Sequence, residues 1–191
     1  MDPLKDLVSG RPLIEGRGAP IDGGIYVGGD GVRTVVDSDV TRQPRLNAVM
    51  IEAGEFLTKN QDGILGVIPA LARKYLPVNP DSYELICNNP NKPDRFQLQV
   101  FLKHTDKDGR EFGGGGPDQQ ALLAALMLER YYKDKYKHDF VTKITGKMPK
   151  VAVVKDPTDK HARVLVSTRR GDIYEFDPQR GDNKFKKIWY N

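Results

Sequence analysis

The sequence predicts an α+β protein, in which helices and antiparallel strands occupy separate stretches of the chain. Apolar residues recur at helical spacing over residues 45–75 and again after residue 117. Between residues 96 and 102 they alternate instead, as in a half-buried strand. Short runs of β-branched residues between positions 151 and 176 predict further strands, so both kinds of secondary structure are expected.

Residues 1–62 are predicted to form a glycine- and proline-rich arm that contains a short hairpin and a helix. Ile25 to Val27 and Val32 to Val36 are apolar runs separated by a GGDG stretch, a pattern typical of a β-hairpin. From Arg45 to Lys59 the apolar positions follow helical spacing. The arm lacks the GxxxxGK[ST] pattern, so its glycines do not indicate a phosphate loop.

Residues 63–133 are predicted to form a helix, three strands and a second helix. The first helix covers Ile64 to Tyr75, and because Pro69 is best tolerated in a first turn, we expect the helix to begin near Val67. Asp118 is expected to cap the second helix. The three predicted strands are Tyr83–Cys87, Phe96–Leu102 and Arg110–Phe112, the last two joined by a turn at Asp108-Gly109.

Residues 134–191 are predicted to form a basic, β-rich extension. This segment carries 14 basic and 8 acidic side chains, a net charge of +6, whereas residues 1–62 carry −3 and residues 63–133 carry +1. Attraction to phosphates is therefore expected mainly in the last third of the chain. The predicted strands are Val151–Val154, Val164–Ser167 and Ile173–Phe176, with a further strand in the tail Lys184–Tyr190.

The composition argues against several classes of protein. No apolar run approaches the roughly 20 residues of a membrane span, and no secretory signal is visible at the N-terminus. Cys87 is the only cysteine, and His104, His138 and His161 lack the spacing of metal ligands. We therefore expect a non-catalytic protein without metal or cofactor, located in the cytoplasm, which is the host cytoplasm if the chain is viral.

The central stretch resembles the double-stranded RNA-binding domain in the order and spacing of its predicted elements. The resemblance covers residues 63–133 and implies an α-β-β-β-α fold, in which two helices cover one face of a three-stranded antiparallel sheet. The residues that carry it are Tyr83, Glu84 and Leu85 for the P-x-Y-E-L pattern, Phe96, Leu98 and Val100 for the central strand, Gly109, Phe112, Gly113 and Gly115 for the hairpin and glycine loop, and Ala121, Ala124, Ala125 and Leu128 for the second helix.

That resemblance implies a mode of binding and a set of contacts. The family binds duplex RNA by shape, through its first helix, the loop between its first two strands and the start of its second helix. The C-terminal segment adds cationic residues interleaved with aromatic ones, a combination suited to nucleic acid. The predicted RNA-binding residues are Arg73, Lys74, Asn91, Lys92, Gln119, Gln120, Arg163, Arg169, Arg170, Lys186 and Lys187.

Asp118, Gln119 and Leu122 stand where family members carry lysines, and two hypotheses follow. Under the first, the chain binds double-stranded or structured RNA, and the basic C-terminal segment supplies the missing phosphate contacts. A viral suppressor of RNA-triggered defence would be one such protein. Under the second, the module has lost RNA binding and serves as a docking surface for a protein partner or a homodimer.

A third hypothesis is an RNase toxin-like protein. Residues Ile173 to Gly181 (IYEFDPQRG) resemble a strand segment of ribosome-cleaving bacteriocin nucleases, in which an acidic residue and a histidine act on RNA. Glu175 and Asp177 are the acidic candidates here, and Arg180 stands where the histidine would fall. A hairpin with polar edges explains the same residues equally well.

Overall fold

Helices dominate the described residues between positions 43 and 145. In this computed structural model the described residues are 25–27, 33–35, 43–60, 63–91, 97–145, 149–155 and 162–189. They contain the α-helices α1 (Pro44–Lys59), α2 (Ile64–Tyr75), α3 (Pro80–Cys87), α4 (Pro117–Tyr136) and α5 (Phe140–Thr145), and the 3-10 turns η1 (Leu98–Phe101) and η2 (Pro178–Arg180).

The described strands form three separate sheets, all antiparallel. β1 (Ile25–Val27) pairs with β2 (Arg33–Val35), and β3 (His104–Thr105) pairs with β4 (Glu111–Phe112). A four-stranded meander then follows in the order β5-β6-β7-β8. Its strands are β5 (Lys150–Lys155), β6 (Ala162–Ser167), β7 (Ile173–Phe176) and β8 (Lys186–Trp189). The mixed helix-and-sheet class is thereby confirmed, as are the N-terminal hairpin and the C-terminal strands.

Helix α2 has the predicted bounds, Ile64–Tyr75, whereas the later start expected from Pro69 is wrong, because the helix accommodates this proline in its interior. A proline there has no N–H to donate to the carbonyl of Leu65, one turn earlier. That carbonyl instead accepts a hydrogen bond of 3.2 Å from the backbone N–H of Phe185, in the loop before β8. The proline therefore leaves open an acceptor that fastens the C-terminal segment to the helical layer.

Two predicted strands of the central stretch are wrong. Tyr83–Cys87 belongs to α3, whose first turn is set by Asn79, because the Asn79 side chain accepts a hydrogen bond from the Ser82 N–H and Pro80 follows it. In the second predicted strand, Phe96–Leu102, residue 96 lies outside the described residues and Leu98–Phe101 forms η1. The described apolar residues from Leu98 to Leu102 are all enclosed rather than alternating between core and solvent. Among the described residues of 63–133, the sheet therefore consists of the two-residue strands β3 and β4.

The core is organised around α4. Every residue from Asp118 to Leu128 is buried, because α1 and α2 pack on one side of the helix and strands β5 and β6 on the other. The alternate residues of the meander that face α4 complete the same cluster, and they are Val153, Ala162, Val164, Val166 and Phe176. One hydrophobic core thus joins the helical layer to the C-terminal sheet.

The glycine loop before α4 is held by its neighbours. The N–H of Gly114 donates to the carbonyl of Phe101 (2.8 Å), and the N–H of Gly115 donates to the carbonyl of Pro77 (3.0 Å). Gly114 has a φ of +121°, and a Cβ atom placed on it would lie 2.5 Å from the Cβ of Asn79. The loop therefore needs glycine both for its backbone conformation and for the close approach of α3.

Candidate nucleic-acid interface

The predicted contacts at the start of α4 are enclosed. Gln119 is fully buried, and its Oε1 accepts a hydrogen bond of 2.9 Å from the Gly116 N–H. Gln120 is also buried, and its Nε2 donates to the carbonyl of Leu76 at 2.9 Å. Both amides hold the loops around α4 together, so the prediction that they contact RNA is not supported at this end of the helix.

Asp118 does not cap α4 as predicted. Gly116 is the N-cap residue, and Asp118 lies in the first turn. Its buried Oδ1 accepts a hydrogen bond of 2.7 Å from the backbone N–H of Ala162, where β6 begins. The Asp118 carboxylate therefore connects the helix to the sheet.

The other predicted contacts of residues 63–133 lie apart from α4. Asn91 is exposed in the turn after α3, where its N–H donates to the Asn89 side chain at 3.0 Å, and Lys92 lies outside the described residues. Lys74 forms an exposed ion pair of 3.0 Å with Glu52 of α1. The hydrogen bond that the Lys74 ammonium donates to Glu52 raises the pKa of that ammonium above its usual value.

Arg73 turns towards the C-terminal segment. Its Nη1 donates to the carbonyl of Asp182 (3.1 Å) and to the Oδ1 of Asn183 (2.7 Å). The loop that follows η2 is thus attached to α2 by this guanidinium and by the Phe185–Leu65 hydrogen bond. The structure therefore brings the predicted first-helix contact next to the predicted C-terminal contacts.

Arg163 is a buried residue of the sheet. Its Nη1 lies 3.3 Å from a carboxylate oxygen of Glu175 on the neighbouring strand β7. Arg180 of η2 approaches the same carboxylate at 3.8 Å and pairs with Asp177 at 3.1 Å. Arg163 is thus enclosed in an internal ion pair, which argues against its predicted contact with RNA, while Arg180 reaches the surface.

The other predicted cations of the C-terminal segment are spread over two places. Arg169 bonds to Asp139 beside α5, and Arg170 next to it is exposed. Lys186 pairs with Asp182, and Lys187 pairs with Asp172 at 2.9 Å. Of these cations, Lys186 and Lys187 lie on β8, the strand that follows the loop contacted by Arg73.

Four cations meet around η2, and we call this the η2 surface: Arg73, Arg180, Lys184 and Lys186. The Arg180 and Lys186 side chains are 52% and 61% exposed, and Lys184 is exposed as well. Their acidic partners lie beneath them, with Asp177 fully buried and Asp182 4% exposed. A ligand approaching from solvent therefore meets the positive groups first.

The acidic residues of the nuclease-like segment have structural roles. Asp177 Oδ1 accepts hydrogen bonds from the backbone N–H groups of Gln179 and Arg180, and so caps η2. Glu175 is 13% exposed and lies between the guanidinium groups of Arg163 and Arg180. Both carboxylates are therefore engaged in contacts that hold η2 and the sheet together.

A groove of about 360 Å³ lies between α1 and α4. Its floor is apolar and includes Met50, Leu57 and Met127, and Gly54 leaves space at one wall. On its rim the cation of Arg130 faces the carboxylate of Asp134 at 3.9 Å. Lys135 also lines the groove, and its ammonium donates a hydrogen bond of 3.1 Å to the Tyr131 hydroxyl.

Within the described part of the chain, no cluster of three or more His, Cys, Asp or Glu side chains is arranged to hold a metal ion. The same residues include no helix with both the length and the apolar character that crossing a bilayer requires. Comparisons of the chain with protein-family models, with curated proteins and with solved structures found no match. The fold and the side-chain geometry are therefore the basis for a functional proposal.

Proposed function

We propose that the chain binds double-stranded or structured RNA through the η2 surface. The observation that carries the proposal is the layering of charge, with exposed cations of Arg180, Lys184 and Lys186 above buried carboxylates. Phosphate groups are attracted to such a surface, and each contact releases condensed counterions. The ligand class is the one that the dsRBD resemblance implies, but the contact surface lies on the C-terminal sheet.

The η2 surface is also rigid, which favours recognition by shape. Asp177 caps η2, Arg73 bonds to the following loop, and the Phe185 N–H is fixed to the carbonyl of Leu65. Cations that are already positioned lose less side-chain entropy when they bind. Backbone contacts of this kind carry little sequence information, so we propose binding that depends on the geometry of the duplex rather than on its bases.

The resemblance of residues 63–133 to the dsRBD family stays a proposal. Support for it comes from the glycine loop followed by the alanine-rich helix α4. Its two predicted strands at Tyr83–Cys87 and Phe96–Leu102 have different structures in this chain. Binding through the η2 surface does not depend on that arrangement.

The test is a titration of a labelled RNA duplex of about 20 base pairs, long enough for a site of roughly 16 base pairs, at two salt concentrations. Lys184→Glu should weaken binding about tenfold and reduce the magnitude of the salt slope by about 1, because one phosphate contact is lost. The matched control is Lys107→Glu, an exposed lysine in the turn between β3 and β4 that undergoes the same change of charge. No binding at low salt, or equal losses in both variants, would overturn the proposal.

A further inference from the structure

Helix α5 is amphipathic, and its apolar side faces solvent. Phe140, Val141 and Ile144 are 72%, 53% and 67% exposed. These positions lie on one side of a helix, since residues three and four apart are neighbours. A surface helix normally turns its apolar stripe to the core, so α5 has the opposite orientation.

Polar contacts hold α5 in this orientation. The Asp139 carboxylate accepts hydrogen bonds of 2.8 Å from both the N–H and the hydroxyl of Thr142. The Arg169 guanidinium, from the turn after β6, bonds to Asp139 and Thr142 and lies 4.5 Å above the Tyr136 ring. The polar side of α5 is thus fastened to the sheet and to α4, which leaves its apolar side outward.

Exposed basic residues flank the outward apolar side chains in sequence. Lys137 and Lys143 are exposed on either side of Phe140, and Arg170 is exposed beside Arg169. Asp139, the acidic residue immediately before α5, is bonded to Arg169. Asp134, a further acidic residue nearby in sequence, pairs with Arg130. The surface offered by α5 is therefore apolar at its centre and positive at its rim.

We propose that α5 is a docking element for an acidic, amphipathic segment of a partner protein. The apolar residues of that segment would cover Phe140, Val141 and Ile144, and its carboxylates would face Lys137 and Lys143. A second copy of this chain fits less well, because a two-fold contact through α5 would bring equal charges together. This function goes beyond RNA binding and uses different residues from the η2 surface.

The probe is a labelled helical peptide of about 18 residues, or five turns, with leucine along one face and glutamate elsewhere. Its dissociation constant for the full chain should be below about 100 μM at low salt. The same peptide with lysine in place of glutamate should bind at least tenfold more weakly. The double variant Phe140→Ser/Ile144→Ser should lose at least tenfold in affinity for the acidic peptide, because interface energy is concentrated in a few apolar anchors.

Leu85→Ser is the matched control, because Leu85 is a 76% exposed apolar residue on α3. It should leave peptide binding unchanged, and thermal melting of all variants checks that they fold. Three results would overturn the proposal: equal binding of both peptides, dimerisation of the free chain that Phe140→Ser/Ile144→Ser abolishes, or binding to phosphatidylserine vesicles without binding to the acidic peptide. Failure of RNA binding by the same protein would leave this outcome unaffected.

Discussion

Gly114→Ala should destabilise the fold strongly. Gly114 has a φ of +121°, and an added Cβ would lie 2.5 Å from the Cβ of Asn79 and 3.2 Å from the carbonyl oxygen of Pro77. The backbone conformation alone costs an alanine about 1–2 kcal/mol. Moving the start of α3 away from the new methyl group adds about 1–3 kcal/mol. We expect a total near 3 kcal/mol and a melting temperature lower by about 6–12 °C for a chain of this length.

The assay is thermal unfolding followed by circular dichroism, with Gly109→Ala as the control. Gly109 also has a positive φ of +77°, but its added Cβ meets no atom within 4 Å. That variant should lose only about 1 kcal/mol, or roughly 2–4 °C. If the two variants melted at the same temperature, the close packing of the glycine loop against Asn79 would not be a source of stability.

Three further predictions concern α1, α4 and alkaline pH. Gly54→Ala should raise the free energy of unfolding by about 0.5–1 kcal/mol, measured by urea denaturation, because the residue lies inside α1 with open space around it; a loss of stability would contradict this. Asp118→Ala should lower the free energy of unfolding by about 1–3 kcal/mol in the same assay, because it leaves the buried N–H of Ala162 without this acceptor. Asp118→Asn keeps an acceptor oxygen and should cost clearly less. Burial, and to a lesser extent the charge of Tyr136, raises the pKa of the Tyr132 hydroxyl. The folded state therefore favours the neutral hydroxyl, and this contribution to the free energy of unfolding is complete below about pH 10. At higher pH the free energy of unfolding should decline by up to about 1.4 kcal/mol per pH unit. Tyr132→Phe should make that decline shallower, and an unchanged slope would contradict the assignment.

The long helices and the C-terminal strands could be predicted because their patterns are local. Six apolar residues of α1 recur at helical spacing, and the core encloses four of them, Leu46, Met50, Ala53 and Leu57. Val49 is partly buried, and Phe56 is 44% exposed. The strand pattern of Ile173 to Phe176 matches β7 residue for residue. Such segments carry their own periodicity, and tertiary contacts reinforce it.

The two wrong strands had ambiguous or overlooked local signals. Tyr83–Cys87 is rich in strand-forming residues, but the preceding Asn79-Pro80-Asp81 is an N-terminal helix signature: a capping asparagine, a proline at the first position and an acid in the first turn. For Phe96–Leu102 a short alternating run could not distinguish a strand from a buried turn. Leu98 and Val100 lie in the core, as a strand pattern predicts. Phe101 is buried as well, although in a strand it would point to the opposite face from Val100.

The candidate sites depended on contacts between distant residues. Nothing in the sequence near Gln120 indicates that its amide would bond to Leu76, 44 positions earlier. Arg73 and Asn183 are likewise 110 positions apart. The exposed face of α5 did have a local signal, Asp139 followed by apolar residues at positions 140, 141 and 144. What the sequence could not show is that Arg169 would turn this face outward.

The central position of α4 has a practical consequence for anyone who divides the chain into fragments. A recombinant fragment that begins at residue 134 would contain strands β5 to β8 without the helix that covers Val153, Val164 and Phe176. A fragment that ends at residue 133 would expose the opposite side of the same interface. Each half would carry an uncovered apolar surface and would be prone to aggregate during expression. Separate production of the two halves would succeed only if each kept its own copy of α4.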